Sequence, residues 1–350
     1  MTTVHQFHPV VAAGDAMGDH ILTLGRYLRE WGHDARAYAV EAADGEVLPY
    51  RRLFREARPE DVVILHFSMG HEVFDQLAKL PGRKVLVYHN VTPPEFFAGI
   101  NPHAAAHAAL GRRQLASLAP KIDLAIGVSE YDRAELEDAG FASTAHVPIL
   151  IDWSKYDVEP DPGVLASQTG PGARILFVGR ISPNKRQDHL IRLLAYYTRC
   201  IDPDARLVLA GGYRDQARYH ARCLALAREL GLRDAVTFTG KVPLPALVAY
   251  YRTASVFVSL SEHEGFGVPL LEAMRLRAPV VAYSAAAVPE TVDGAAILLD
   301  RKDLAEAAEA AAIVVEREDV RARLVAAGER RVADFATERV AAETRRILEL

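Results

Sequence analysis

Short apolar segments alternate with amphipathic segments along almost the whole chain, a pattern typical of parallel strands joined by crossover helices. After the first strand, apolar residues at helical spacing predict a helix over 19–31, and Gly32 suits the position just past its end. The pattern predicts strands at 4–8, 35–40, 62–66, 85–89, 124–128 and 145–148, and then at 174–178, 206–210, 235–239, 255–260, 280–282 and 296–299.

A stretch rich in proline and glycine interrupts this alternation at 152–173, as is typical of a connection between domains. The sequence therefore predicts an α/β chain with a Rossmann-like domain over 1–150, a linker over 151–172 and a second Rossmann-like domain over 173–335. In such an arrangement two doubly wound domains face each other across a cleft outside the carboxyl ends of both sheets. Residues 336–350 predict a helix that packs back onto the first domain.

The charge and cysteine content narrow the class of protein. The first 150 residues hold 14 Lys and Arg against 19 Asp and Glu, and the remainder holds 27 of each. A nucleic-acid binder usually shows a basic face, so we expect no nucleic-acid partner. Cys200 and Cys223 are the only cysteines, which excludes a disulfide framework. No cysteine or histidine cluster has the sequence spacing of a metal site, so we expect neither a metal nor a cofactor.

The N-terminus lacks the basic and apolar regions of a signal peptide, and no apolar run approaches the roughly 20 residues that span a bilayer. We therefore expect a soluble, cytoplasmic protein. Peripheral attachment to the inner face of the membrane stays open, although the acidic first half offers no obvious basic patch for anionic lipids.

The segment 261–274 carries the most informative motif, in which an apolar strand runs into a glycine-bracketed loop and then into a helix. Gly265 and Gly267 let a ligand approach the backbone closely, and the helix start offers N–H groups to an anion. Glu264 and Glu272 flank this turn. Because carboxylates repel an anion, two acids beside an anion site are expected only if they bind uncharged hydroxyls of the same ligand. Phosphate on the N–H groups and sugar hydroxyls on the carboxylates predict a nucleotide-sugar site.

Two cations follow the first predicted strand of the second domain. Arg180 stands immediately after that strand, and Lys185 comes five residues later. Both can reach one diphosphate, arginine as a planar fork and lysine as a point charge. A solvated surface loop is the alternative interpretation, and it suffices for Arg186. The glycine and glutamate loop in the same domain favours diphosphate binding for the other two.

The two motifs together are Gly-Arg-Ile-Ser-Pro-Asn-Lys at 179–185 and Glu-Gly-Phe-Gly-Val-Pro-Leu-Leu-Glu at 264–272. They resemble the retaining GT-B glycosyltransferases of family 4 (group 1), whose signature is two glutamates separated by seven residues. The resemblance covers nearly the whole chain and is strongest over 172–300. It implies a GT-B fold and metal-independent transfer of a sugar from a nucleotide donor with retention of the anomeric configuration.

The resemblance also implies a role for each matching residue. Arg180 and Lys185 would hold the donor diphosphate and stabilise the leaving nucleotide. Glu264 would bind hydroxyls of the donor sugar, and Glu272 would hold the ribose hydroxyls. Further donor contacts, largely through backbone groups around the sugar, the phosphates and the base, would come from Gly265, Phe266, Gly267, Lys241 and Val242.

His89 ends a predicted strand of the first domain, where a lone histidine more often caps or packs. Enzymes of the family place a histidine after the corresponding strand, and the resemblance implies that His89 lies beside the donor sugar as a catalytic residue. Asn90 and Thr92 would assist it. His66 ends another strand and is an acceptor-side candidate, for which a packing role fits equally well.

Two departures from the family pattern concern loops. Relatives often carry adjacent glycines before the first helix, whereas this chain separates Gly14 from Gly18 and places Asp15 between them. Gly14 and Asp15 remain donor-site candidates, with Asp15 alternatively meeting the acceptor. The second departure is a Ser-Ala-Ala-Ala stretch at 284–287, where relatives carry two glycines before Pro-Glu. That stretch resembles certain bacterial polysaccharide mannosyltransferases and hints at GDP-mannose.

The expected function is a retaining transfer of a hexose from GDP-mannose or a UDP-sugar to a hydroxyl acceptor. A glycan, a lipid-linked glycan and a small molecule are all open as acceptors. Two alternatives remain: a nucleotide-sugar epimerase or hydrolase of the same fold, and a catalytically silent nucleotide-sugar-binding subunit.

Overall fold

The computed structural model describes residues 2–12, 14–42 and 45–350. The chain divides into two compact units. The first comprises Met1–Ala98, Pro102–Trp153 and Phe335–Leu350, and the second comprises Gly99–Asn101 and Ser154–Asp334.

The first unit contains a seven-stranded parallel sheet, counted over the described residues. The strands of this unit are β1 (Thr3–Phe7), β2 (Val10–Val11), β3 (Asp34–Ala39), β4 (Glu41–Ala42), β5 (Val47–Pro49), β6 (Val62–Phe67), β7 (Arg83–Tyr88), β8 (Leu124–Gly127) and β9 (Thr144–His146). Their order in the sheet is β5-β3-β1-β6-β7-β8-β9, with β2 and β4 forming a separate short pair. The central strands β6 and β7 are almost wholly buried, as expected for a sheet covered on both faces.

Helices cover this sheet: α1 (Ala16–Glu30), α2 (Leu53–Glu56), α3 (Val73–Leu77), α4 (Pro102–Leu118) and α5 (Glu130–Asp138). Helix α1 buries one apolar stripe that includes Ile21, Leu24 and Leu28. Parallel pairing in register, for example His66 of β6 beside Val87 of β7, brings the carboxyl ends of the central strands to one edge.

The second unit contains a six-stranded parallel sheet in the order β12-β11-β10-β13-β14-β15. Its strands are β10 (Arg174–Val178), β11 (Arg206–Ala210), β12 (Val236–Gly240), β13 (Val256–Ser259), β14 (Val280–Tyr283) and β15 (Ile297–Leu299). Its helices are α6 (Pro162–Ser167), α7 (Gln187–Cys200), α8 (Ala217–Glu229), α9 (Leu244–Thr253), α10 (Val268–Arg275), α11 (Val288–Val292), α12 (Leu304–Glu316) and α13 (Glu318–Asp334). Strands β10 and β13 are neighbours, so the loops that follow them share one edge of the sheet.

The segment Phe335–Leu350, with helix α14 (Thr337–Leu348), belongs to the first unit. The indole N–H of Trp153 donates to the carbonyl of Phe335 at 2.8 Å. The hydroxyl of Thr337 donates to the carbonyl of Ile151 at 2.7 Å. These bonds attach the helix to a chain segment that precedes the second unit.

The doubly wound α/β class predicted from the alternation is confirmed in both units. The region interpreted as a linker contains a short helix, because Asp161 caps α6 by accepting from the Val164 N–H at 2.8 Å and Pro162 occupies its first turn. No helix in the described part of the chain is both long and apolar enough to cross a bilayer.

Candidate functional site

The loop between β13 and α10 turns sharply at Gly267, whose φ of 94° lies in the left-handed region. This backbone conformation favours glycine, whereas the one atom within 3 Å of an added Cβ is Cδ1 of Leu270, the end of a side chain that can move. Pro269 has no N–H, and the Leu270 N–H donates to the carbonyl of Gly267 at 2.9 Å. An anion at this helix start would therefore have to bind the amides that precede Pro269.

Lys185 and Glu264 form the central ion pair of this edge of the sheet. Nζ of Lys185 lies 2.5 Å from Oε2 of Glu264, with side-chain exposures of 20% and 13%. Asn184 joins the loops that carry them: its amide donates to the carbonyl of His263 at 3.3 Å, and its carbonyl accepts from the Glu262 N–H at 2.8 Å. The structure thus brings together two residues that are 79 positions apart in sequence.

Arg180 lies on the same unit but makes a different pair. Its guanidinium lies 3.2 Å from a carboxylate oxygen of Asp215, and both side chains are half exposed. Its carbonyl accepts from the side-chain amide of Gln187 at 3.1 Å. An ion pair this exposed contributes at most about 1 kcal/mol, so the Arg180 guanidinium exchanges partners at little cost.

Glu272, for which the resemblance implies ribose binding, makes hydrogen bonds to two tyrosines in this structure. Its side chain is buried in the second unit, with Oε2 accepting from the Tyr251 hydroxyl at 2.7 Å and Oε1 accepting from the Tyr156 hydroxyl. Burial, together with the adjacent Glu272 carboxylate, raises the pKa of Tyr251 well above its ordinary value. These contacts hold the Glu272 carboxylate against α9 and the segment at Tyr156. Ribose binding by Glu272 stays a prediction.

We expect Tyr251→Phe to lower the free energy of unfolding of the second unit by about 1–3 kcal/mol, because it leaves a buried carboxylate oxygen without its donor. Urea titration followed by circular dichroism measures the change. Tyr250→Phe is the matched control, since it removes a neighbouring hydroxyl on the same helix α9. Equal midpoints for the two variants would contradict the supporting role of Tyr251.

Carbonyls of the glycine loop bond to the segment that follows β14. The Ala287 N–H donates to the carbonyl of Glu264 at 3.2 Å, and the Thr291 hydroxyl donates to the carbonyl of Phe266 at 2.5 Å. Phe266 is buried and Gly265 is partly buried. The Ser-Ala-Ala-Ala stretch that departs from the family pattern therefore bonds to the backbone of the glycine loop through Ala287.

Lys241 and Val242 follow β12, the edge strand of the second sheet, three positions from β13 in the strand order. Lys241 is exposed and Val242 is partly buried. The preceding Gly240 carbonyl accepts from the Gly211 N–H at 3.1 Å, which ties the ends of β11 and β12 together. Base contact by Lys241 and Val242 stays a prediction.

In the first unit, a backbone N–H of the loop before α1 is hydrogen-bonded to a side chain of α1 itself. The Gly14 N–H donates to Oδ1 of Asp19 at 2.8 Å, so this amide already has an acceptor. Gly18 lies inside α1, where a Cβ would stand 2.0 Å from the carbonyl oxygen of Ala12. Close packing accounts for Gly18, and Asp15 is the exposed residue just before α1.

His89 follows β7, and its Nε2 lies 3.1 Å from Nδ1 of His66 at the end of β6. His66 is fully buried and contacts the side chain of Gln6, at the end of β1, at 3.0 Å. His20 of α1 completes a group of three rings, with one nitrogen from each lying within 4.8 Å of the others. Burial lowers the pKa of His20 to about 4.

Sequence reasoning missed Gln6 and His20 as members of this group. His66 carried a signal, as the one polar residue of the apolar strand β6. Gln6 carried none, because β1 also contains Thr3 and His5. The side-chain amide of Asn90 donates to Asp132 at 2.6 Å and to Glu135 at 3.1 Å. These bonds anchor the backbone after His89 to helix α5.

Residues 168–331 match the family model described as glycosyl transferases group 1. Among curated relatives, a GDP-mannose-dependent alpha-(1-6)-phosphatidylinositol monomannoside mannosyltransferase of Mycolicibacterium smegmatis is 31% identical over 195 residues, covering 52% of this chain and 50% of that protein. A D-inositol 3-phosphate glycosyltransferase of Acidothermus cellulolyticus is 36% identical over 143 residues, covering 39% of this chain and 32% of that protein. The chain thus spans half or less of the length of these relatives.

Solved structures match over the whole chain at low sequence identity. HepE of Anabaena, solved with UDP and glucose, has a TM-score of 0.78 at 18% identity. The match covers 100% of this chain and 100% of that chain. Sucrose-phosphate synthase of Thermosynechococcus elongatus has the same TM-score and identity, with 100% of this chain and 98% of that chain covered. The shared fold is the GT-B fold. Residues 168–331, which carry the Lys185–Glu264 pair, match the glycosyl transferases group 1 model.

Proposed function

We propose that the protein is a retaining glycosyltransferase that moves a hexose from a nucleotide-diphosphate sugar to a hydroxyl group without a metal ion. The observation that carries the proposal is the Lys185–Glu264 pair beside the glycine turn that opens α10. It places a cation, an anion and backbone amides at the carboxyl ends of adjacent strands, where doubly wound sheets bind their ligands.

The pair offers complementary groups to a sugar phosphate. An ammonium has three donors, and Lys185 uses one of them on Glu264, which leaves two for phosphate oxygens. Oε1 of Glu264 is available to accept from a hydroxyl of the sugar. A group that binds the phosphate and a group that binds the sugar are therefore already held side by side.

The proposed step breaks the bond between the anomeric carbon and the phosphate oxygen and forms a bond from that carbon to the acceptor oxygen on the same face. The acceptor proton passes to the departing phosphate oxygen. Negative charge grows on the diphosphate, and Lys185, the amides near Gly267 and an approaching Arg180 stabilise it. Such preorganised charge is commonly the largest catalytic contribution.

GDP-mannose and UDP-sugars are the proposed donors, and a glycan or lipid-linked glycan is the proposed acceptor. The mycobacterial relative is named for GDP-mannose and a phosphatidylinositol mannoside, and HepE was solved with UDP and glucose. Calorimetry with GDP-mannose and UDP-glucose, followed by product analysis with glycan acceptors, tests the proposal. Donor turnover without an acceptor would indicate an epimerase or hydrolase, binding without turnover would indicate a silent subunit, and absence of binding would overturn the site.

We expect Glu264→Gln to weaken binding of the nucleotide sugar about tenfold or more relative to the free nucleoside diphosphate, because a charged hydrogen bond to the sugar is lost. The free diphosphate should bind equally well or better, since Lys185 no longer shares its charge with a carboxylate. Glu229→Gln, an exposed change on α8, serves as the control. Parallel weakening of both ligands would indicate that Glu264 acts by positioning Lys185 and not by binding the sugar.

A further inference from the structure

Three histidine rings pack together in the first unit. The ring centroids of His20, His66 and His89 lie 5.3–5.4 Å apart. Burial is the main cause, and neighbouring histidine rings a second one, that hold the pKa of His66 and of His89 well below the ordinary value. All three rings are therefore neutral at pH 7, and a neutral imidazole has one N–H donor and one lone pair.

The direction of each hydrogen bond follows from Gln6. Its side-chain NH2 group donates to the carbonyl of Ile21 at 3.1 Å, which fixes the amide orientation and leaves Oε1 as the acceptor. His66 must then carry its proton on Nε2, 3.0 Å from Oε1 of Gln6. Nδ1 of His66 is consequently a lone pair, and it accepts from Nε2–H of His89 at 3.1 Å. His89 is left with an unprotonated Nδ1.

The same reasoning gives the state of His20. The backbone N–H of Leu150 donates to Nδ1 of His20 at 2.9 Å, so the proton of this ring is on Nε2. A protonated nitrogen cannot ligate a metal, and Nε2 is the atom that would have to do so. The three rings therefore do not form a three-histidine metal site in this hydrogen-bonding state.

Two nitrogens of the group are left over. Within residues 2–12, 14–42 and 45–350, Nδ1 of His89 and Nε2 of His20 are buried without a hydrogen-bond partner. A buried polar atom without a hydrogen-bond partner destabilises the fold. One is an acceptor and the other a donor, which is the complement of a hydroxyl group. Phosphate oxygens, which only accept, do not satisfy the lone pair of His89.

We infer that Gln6 and His66 are positioning residues that hold His89 in the Nε2–H tautomer, so that its Nδ1 accepts a hydrogen bond from a hydroxyl group of a bound ligand. His89 follows β7 at the carboxyl edge of the first sheet, where doubly wound sheets bind ligands. The residue as a whole is partly exposed, whereas its Nδ1 is buried. That the hydroxyl belongs to a sugar rests on the proposed function. The tautomer itself does not.

Nitrogen NMR of the protein labelled with 15N-histidine tests the tautomer without any ligand. We expect a bare Nδ1 and a protonated Nε2 on His89 in the unmodified protein. His66→Asn should preserve this state, because the asparagine oxygen takes the place of Nδ1 as acceptor. His66→Phe should abolish it, and His5→Asn, a buried histidine of the same unit outside the group, should leave it unchanged.

A second measurement connects the tautomer with ligand binding. We expect His66→Phe to lower kcat/KM for transfer about tenfold or more, with His66→Asn within about threefold of the unmodified protein. The inference would be overturned if the unmodified protein carried a proton on Nδ1 of His89. It would also be overturned if His66→Phe left the tautomer of His89 unchanged. Loss of the Nε2–H tautomer of His89 in His66→Phe with unchanged kinetics would contradict it as well. The same holds if added zinc shifted the nitrogen signals of all three histidine rings. Absence of transfer activity with the expected tautomer would instead count against the proposed function.

Discussion

Replacing Lys185 with alanine is expected to slow sugar transfer by roughly 100- to 1,000-fold, the loss typical of removing one preorganised donor from a developing anion. The Lys185 ammonium lies 2.5 Å from Oε2 of Glu264, beside the turn that opens α10. Its removal should act on kcat at least as strongly as on KM, because negative charge on the diphosphate is greatest as the sugar departs. Steady-state kinetics with the donor identified by calorimetry measures both constants.

Arg192→Ala is the matched control for this prediction, since it removes a positive charge from an exposed position on α7 of the same unit. Lys185→Ala and Glu264→Gln combined should lose less than the sum of the two single losses, because each single change leaves its partner unpaired. Urea midpoints of the single variants should stay close to that of the unmodified protein. Transfer rates in Lys185→Ala within threefold of the control would remove Lys185 from the proposed mechanism.

Acid is expected to destabilise the first unit between pH 6.5 and 4 more than the second. Burial lowers the pKa of His20 to about 4, and of His8 also to about 4 despite its bond to a backbone carbonyl. An unfolded histidine takes up its proton near pH 6.5, whereas the folded ring resists until about pH 4. Stability is therefore fully present above pH 6.5 and falls by about 3 kcal/mol per ring as the pH approaches 4.

Fluorescence isolates this effect, because Trp31 and Trp153, the two tryptophans of the chain, both lie in the first unit. Urea titrations at pH 7 and pH 4.5 should show a loss that His20→Asn reduces by about 2 kcal/mol or more. Asparagine retains an acceptor for the Leu150 N–H and does not titrate. His103→Asn, an exposed change on α4, should leave the loss unchanged. Equal acid sensitivity in both variants would contradict the buried neutral state of His20.

The central strands of the second sheet could be predicted from sequence because they are buried on both faces and are mostly apolar. The predicted strands at 174–178 and 206–210 coincide with β10 and β11. Strand β5 (Val47–Pro49) was missed, since three residues that end in proline carry too little periodicity to distinguish a strand from a loop.

The candidate site follows the same division. Lys185 and Glu264 could be expected to meet because each follows one of two adjacent parallel strands, β10 and β13. The partners of Glu272 could not, because Tyr156 is 116 positions away and the direction of a buried side chain depends on packing. The bond between His66 and Gln6 was equally hidden, since it depends on the register of β1 and β6.

The attachment of α14 to the first unit bears on how the chain folds during synthesis. Trp153 and Phe335, which share a hydrogen bond, are 182 positions apart, and the continuous stretch Ser154–Asp334 lies between them. A ribosome must deliver that entire stretch before the earlier residues find their last helix. The second unit can therefore be complete while the surface of the first unit that α14 later covers is still exposed.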